Sequence, residues 1–461
     1  MKANSNKKRI VLKLILLTCL LTLIPIIWWL LVMLEGGKPS IELDLAGRFI
    51  GESQEINIKV SDKETGIRKL WIGLYKNGRE HILEKKEFPF AGFIKGGAVH
   101  EDSINLFIEP KKLGTTDGKA ILRMFISDYS WRGWWHGNKT YVEKEVVIDT
   151  LPPEVDIITR NQNMNQGGSG LVIYRVLESG TKNGVYVDGN FFPGHKGPFK
   201  DENICMSFFA LNHKQGEVKE LFVQAVDQAG NTARAGFSYH INKKRFKKDV
   251  INISDKFLNW KMPEFYLGGS KGSKISIEDK FIKVNRVIRS SNSNKLTGLG
   301  EKTENSIYWD GAFLRLPRSA KKAGYADYRS YQYKGRIIDR QYHLGVDLAS
   351  VAHSPIPSAN GGKVIFTEKT GIFGKTIVID HGFGLLSLYS HLSSFKVKPG
   401  DIVSKGDILG HTGVTGLAGG DHLHFGMIVH NTFVNPIEWW DATWIKNNIQ
   451  SKINNVKLSA E

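Results

Sequence analysis

The 461-residue chain is poor in cysteine, and its first stretch is poor in acid. Only Cys19 and Cys205 occur, so neither a disulfide scaffold nor a four-cysteine zinc site can be built, and any metal centre must rest mainly on histidine and carboxylates. Cys19 lies inside an apolar run that would place it in lipid, away from Cys205, so no internal disulfide is expected. The low count leaves the redox compartment open. No acidic residue precedes Glu35. Hydrophobic residues make up 41% and charged residues 24% of the chain, which argues against wholesale disorder, collagen-like repeats and a polytopic membrane protein. Lys+Arg 63 against Asp+Glu 46 leaves a net charge of +17. That surplus favours an acidic partner, whether nucleic acid, anionic lipid or an anionic wall polymer, and charge alone does not choose. The length implies about three domains.

The N-terminus speaks to location. Leu14 to Leu34 carries no charge and is long enough to cross a hydrocarbon core of roughly 30 Å. Lys2, Lys7, Lys8, Arg9 and Lys13 precede it, and positive flanks stay on the cytoplasmic side. The run exceeds the apolar core of a signal peptide and ends in Trp28, Trp29 and Glu35 without a small-residue cleavage site. An uncleaved single-pass anchor over 14–34 is expected, with residues 1–13 cytoplasmic and the bulk of the chain outside.

From 39 to 150 the pattern is short and alternating, as in Glu55 to Val60 and Lys69 to Leu74, which is strand spacing. Leu151-Pro152-Pro153 stops it, because paired prolines remove donors and fix φ. A second run, 153–242, begins at Val155 and closes with Leu221 to Asn231, a strand entering an Asp-x-Ala-Gly-Asn turn. Both segments resemble bacterial immunoglobulin-like β-sandwich modules. The basic run Lys243 to Lys248 reads as a solvated linker opening a connecting region, 243–334. Within that region Ile275 to Ile288 has helical spacing that Ser273 or Ser276 could cap, with packing rather than catalysis as its expected role. Ser306 to Tyr333 is rich in aromatic and basic residues. Such spacing can stack single-stranded nucleic acid, but an exported chain seldom meets it; a strand or loop entering the next domain is expected, with the lining of a glycan or peptide groove as the alternative.

Eight of the fourteen histidines fall between Gly335 and Trp440, well above an even share. On a strand, His422-x-His424 would put both imidazoles on one face with Leu423 turned to a core. His343 and Asp347, separated by a Gly345 that allows a tight turn, add a nitrogen and an oxygen. Three ligands of N, N and O type with an open fourth position make the coordination sphere of a catalytic zinc. Such a site lowers the pKa of a bound water and polarises a scissile carbonyl, which points to a hydrolase. Spacing leaves open which histidine of His422-x-His424 is the ligand.

At His343-x3-Asp347, Tyr389-x-His391-Leu392 and His422-x-His424 the chain resembles the lysostaphin-like or LytM-type zinc metalloendopeptidases, which cleave peptides of bacterial peptidoglycan. The resemblance runs over 335–440 and takes in Val378 to Gly382 and Val397 to Val403. It implies zinc on His343, Asp347 and His424, with His391 and His422 as the non-ligand catalytic pair. Gly410-His411-Thr412-Gly413 departs from the family by placing a histidine where a small or polar residue is common. His411 is expected in a loop or lining the groove, His381 in a structural role, and His353 and His430 at the surface.

The expectation is thus a mainly β protein: an N-terminal transmembrane helix, two immunoglobulin-like modules as spacer, a connecting region, a LytM-type β-sheet peptidase domain over 335–440 and a tail, 441–461. Its expected partners are peptidoglycan, the inner membrane through the helix and a regulatory protein of unknown kind, with the C-terminal part in the periplasm or outside and no nucleic acid. The alternative is a non-catalytic LytM-like module that binds peptidoglycan or activates a separate amidase. A carrier-domain reading rests only on the turns at Pro399-Gly400-Asp401 and Lys405-Gly406-Asp407.

Overall fold

The computed structural model describes residues 2–45, 47–267 and 275–458, with side chains from residue 9 onward. The described chain is mainly β and forms two compact units. One runs to Pro152 and includes Gln228–Asn231; the other comprises Pro153–Asp227 and everything from Thr232 on.

The first unit opens with a helix, Lys2–Met33, that contains Pro25. Its stretch Arg9–Met33 is long and apolar enough to cross a membrane. At its end Met33 is buried, and the Trp29 ring lies 4.9 Å edge-on to Trp131. Beyond the helix, the strands Ser40–Asp44, Gln54–Ser61 and Glu101–Ile108 form one sheet. Phe49–Ile50, Lys139–Ile148, Gly118–Asp128, Ile67–Lys76 and Arg79–Glu87 form a second. Ile56, Ile58 and Val60 on the first sheet share one core with Leu70, Ile72 and Leu74 and with Leu122, Met124 and Ile126 on the second. The period of two read from the sequence is the physical cause: it sends every other side chain inward from each pleat.

In the second unit the strands of 153–242 share one core with the C-terminal region. Phe208, Trp439, Tyr325 and the strands of the 335–440 region belong to a single buried cluster. Ile204–Ala210 is buried at every position, whereas a strand of a solvated two-layer sandwich alternates. Trp439 is fully buried among Phe208, Trp309, Phe313 and Trp444, at ring separations of 5.5–6.0 Å. The segment read as a tail is helical over Ala442–Ile445 and Ser451–Leu458, joined by a π-helical turn. It buries Ile445, Ile449, Ile453 and Val456. The connecting region 243–334 contributes strands as well as a helix. Lys248–Ile253 pairs in parallel with Tyr328–Tyr333, which pairs antiparallel with Arg336–Tyr342. The expected helix is present as Ile277–Lys283, continuing through a π-helical turn, Val284–Ile288, into Arg289–Gly298. Ser276 caps it by accepting from the Asp279 amide, while Ser273 lies outside the described residues.

Glu438 links two of these parts. Its buried carboxyl accepts from Asn165 Nδ2 at 2.7 Å and from the Ser169 amide at 3.1 Å. Burial pushes its pKa from 4.5 up to about 7, against the pull of those two hydrogen bonds. A raised acid binds its proton more tightly folded than unfolded. Its stabilising contribution is therefore whole below pH 4.5 and is lost as pH rises to 7, a change of up to about 3 kcal/mol. Glu438→Gln should flatten that slope in urea unfolding of the full chain at pH 5 and pH 8. An unchanged slope would show that other groups set it.

The C-terminal sheet positions the site. Its strands run in the order Ala320–Ala323, Val346–Ala349, Leu423–Val429, Leu385–Leu392, Gly374–Asp380, Gly362–Thr370 and Ile402–Val403, with Thr432–Val434 also paired to Leu423–Val429. Three adjacent strands at its middle carry the motif residues.

Candidate metal centre

Register brings Asp347 opposite His424, and His424 opposite Ser390 on the next strand. His343 stands in the turn just before Val346–Ala349. His343 Nε2, Asp347 Oδ1 and His424 Nδ1 lie within 2.9–3.0 Å of one another, and all three residues are buried. The structure thus joins the expected three. His343 Nδ1 faces the Gly324 carbonyl at 2.8 Å, so its N–H points there and the Nε2 lone pair points inward. Two imidazole nitrogens and a carboxylate oxygen packed this closely repel one another unless a cation sits among them. The donor set is that of a catalytic zinc, and the outward hydrogen bond on His343 is what such ligands characteristically make. His424 Nε2 is buried without a hydrogen-bond partner among the described residues. A Cβ on Gly345 would stand 2.6 Å from that atom. Gly345 is thus required by close approach to His424, beyond the turn that the sequence suggested.

His391 and His422 flank the trio. Their rings are 4.8 Å apart, and His391 is 5.8 Å from His424 between centroids. Since Ser390 is the residue in register with His424, strict pleating would send His391 to the opposite face. Its backbone instead takes φ +66, a left-handed conformation costly for a residue with a Cβ, and this turns the ring to the site. His391 Nδ1 is 2.8 Å from the Thr415 carbonyl, and His422 Nδ1 is 2.8 Å from that of Gly420. Each ring therefore carries its proton on Nδ1 and presents Nε2. His422 Nε2 is 3.6 Å from Asp347 Oδ1.

Electrostatics separates the two rings. Burial, then the neighbouring imidazoles, holds His391 well below its ordinary pKa. Burial also pulls His422 down, but the Asp347 carboxylate outweighs it and the net shift is upward. Burial would raise Asp347; the surrounding imidazoles overcome that and hold it well below the usual carboxylate range. Burial lowers His424 to about 4.

The sequence assigns no site role to Arg329, whose Nη2 donates to Asp347 Oδ2 at 2.8 Å. It lies in the aromatic and basic segment 18 residues before its partner, outside any motif. His381 is buried between the Gly361 carbonyl and Ser387 Oγ, a structural role as expected. His411 faces Ser394 Oγ at 3.0 Å, and His353 is exposed. His430 corrects the surface expectation. It is buried and stacks on His195 with rings 5.5 Å apart and 1° from parallel, because the 153–242 segment covers it.

Residues 341–436 match the model of Peptidase family M23. A peptidoglycan DD-endopeptidase of Vibrio cholerae, ShyA, is 36% identical over 130 residues, 28% of this chain and 30% of its own. The DD-carboxypeptidase/endopeptidase Mpg of Neisseria meningitidis is 34% identical over 95 residues, 21% and 22% of the two chains. The chain spans about a quarter of the length of the curated relatives it matches. Among solved structures, the catalytic domain of lysostaphin from Staphylococcus simulans is 27% identical, covering 28% of this chain and 98% of its own at a TM-score of 0.24. The histidine motifs, with the family match over residues 341–436, establish that the C-terminal part of the chain carries a peptidase family M23, LytM-type, domain.

Proposed function

We propose that this chain is a membrane-anchored, zinc-dependent endopeptidase that hydrolyses peptide bonds in peptidoglycan during cell-wall remodelling. The observation that carries the reading is the buried N, N, O triangle of His343, Asp347 and His424, which we take as the zinc ligands. Zinc held there would polarise a scissile carbonyl and bring the pKa of water towards roughly 7. His391, kept neutral by burial and offering Nε2, accepts the proton of the attacking water. His422, drawn the other way by Asp347, donates to the developing oxyanion. A pair of groups whose surroundings push their pKa values apart suits such divided work. Arg329 holds Asp347 in orientation through its second carboxylate oxygen.

The names of the relatives support cross-links between stem peptides as the substrate. The apolar helix Arg9–Met33 supports anchoring in the inner membrane with the peptidase in the periplasm, and the 39–150 sandwich, read as immunoglobulin-like, acts as a spacer. The test is digestion of purified cross-linked sacculi by the full chain in detergent, read by the mass of the released muropeptides. Dimers should become monomers. Intact dimers, from a folded protein holding one zinc per chain, would favour a module that binds or activates instead.

A further inference from the structure

The cavity at the metal trio has a volume of about 440 Å³, and much of its wall comes from outside the family match. Phe257, Phe281, Arg289 and Lys322 line it together with His391 and His424. Arg289 stands out. Its Nε and Nη2 both donate to Asn285 Oδ1, at 3.1 and 2.6 Å, and Nε also faces the Asn285 carbonyl. Asn285 is in turn held by donating to Asp339 at 2.6 Å, an aspartate already paired with Arg286 at 2.8 Å. The π-helical turn sets Asn285 and Arg289 on one side of the helix. The guanidinium is thus fixed by a neutral amide, and no carboxylate among the described residues bonds it. Half-buried cations are usually paired. Desolvation also lowers the pKa of Arg289, outweighing the opposing pull of Tyr331, Asp339 and Asp347.

The acids on the wall are bonded to other cations. Arg329 is committed to Asp347, and Asp249 pairs with Lys247 at 3.4 Å. Lys322, exposed on its strand, adds a second cation without a partner among the described residues. The cavity is therefore a recess with a mixed polar and apolar wall that holds a preset guanidinium and an ammonium. An anion with two oxygens suits a guanidinium fork.

We propose that Arg289, assisted by Lys322, is a carboxylate-binding subsite that selects peptides with a free carboxylate on the residue supplying the leaving amine. This rests on the endopeptidase reading and narrows its substrate class. A cross-link made to the amine of a diamino acid whose own carboxyl is free has that group, while a bridge of internal glycines lacks it.

The probes are acetyl-lysyl-D-alanyl-D-alanine and its C-terminal amide, titrated calorimetrically into the metal-stripped full chain and offered as substrates to the zinc-loaded chain. A charge-assisted hydrogen bond predicts that the free acid binds about 10- to 100-fold tighter than the amide. Arg289→Gln should bring the two within about twofold, and Arg289→Lys should restore part of the difference. Equal binding of acid and amide by the natural chain overturns the subsite without recourse to any variant. So does an undiminished preference in Arg289→Gln with a natural melting temperature. Equal cleavage of acid and amide leaves the endopeptidase standing and removes the subsite; sacculi left intact with neither probe bound remove both.

Discussion

His424→Ala should abolish cleavage of cross-linked sacculi and strip zinc from the purified chain. The substitution deletes one of three convergent ligand atoms and leaves only His343 Nε2 and Asp347 Oδ1 of the triangle. The chemistry that zinc supplies is worth several kcal/mol of transition-state stabilisation, so the rate should fall by about 10³-fold or more. The measurement pairs muropeptide analysis with metal content by mass spectrometry. A thermal melt shows whether the fold survives, since His424 sits buried on a central strand. A folded variant that keeps stoichiometric zinc would mean that the ligand set has been misassigned. His422 would then be the first replacement to test, as the other imidazole near Asp347.

His391→Ala should separate catalysis from metal binding. The ring lies outside the ligand triangle, and its Nδ1 is occupied by Thr415. Zinc content should therefore hold while kcat falls by about 10²- to 10⁴-fold, the range for losing a positioned proton acceptor. KM should change little. Loss of zinc alongside activity would place His391 among the ligands, and retained turnover would pass the base role to another group. The left-handed backbone at this position gives a second expectation: alanine, which keeps a Cβ, should relieve none of the backbone strain, while glycine should relieve about 1–2 kcal/mol of it.

The chemistry of the site was more legible in the sequence than its walls. His343-x3-Asp347 and His422-x-His424 are local patterns, and strand alternation with antiparallel register is enough to bring them together. Arg329 and Arg289 reach the same cavity from a segment whose path over the sheet no short pattern encodes. Arg289 further depends on a π-helical turn, which adds a residue to the helical repeat and so breaks the spacing used to read a face. How 153–242 is covered is not legible in the sequence for a related reason. Its strands show turns and strand spacing, but whether a sheet is wet or covered depends on what packs on its second face. Here helices from the end of the chain and the aromatic cluster around Trp439 cover it. The spacing of Ile445, Ile449, Ile453 and Val456 was a helical signal in plain view. His430, with no motif neighbour, could be placed only by knowing that His195 lies across from it.

The most direct measurement is zinc titration of the metal-stripped full chain, following conversion of muropeptide dimers to monomers. Activity should be absent at the start, rise in proportion to added zinc and level off at one equivalent per chain. It should fail to rise in the His424→Ala chain. Full cleavage by the metal-free protein, or one bound zinc with no cleavage at any concentration, would contradict the account.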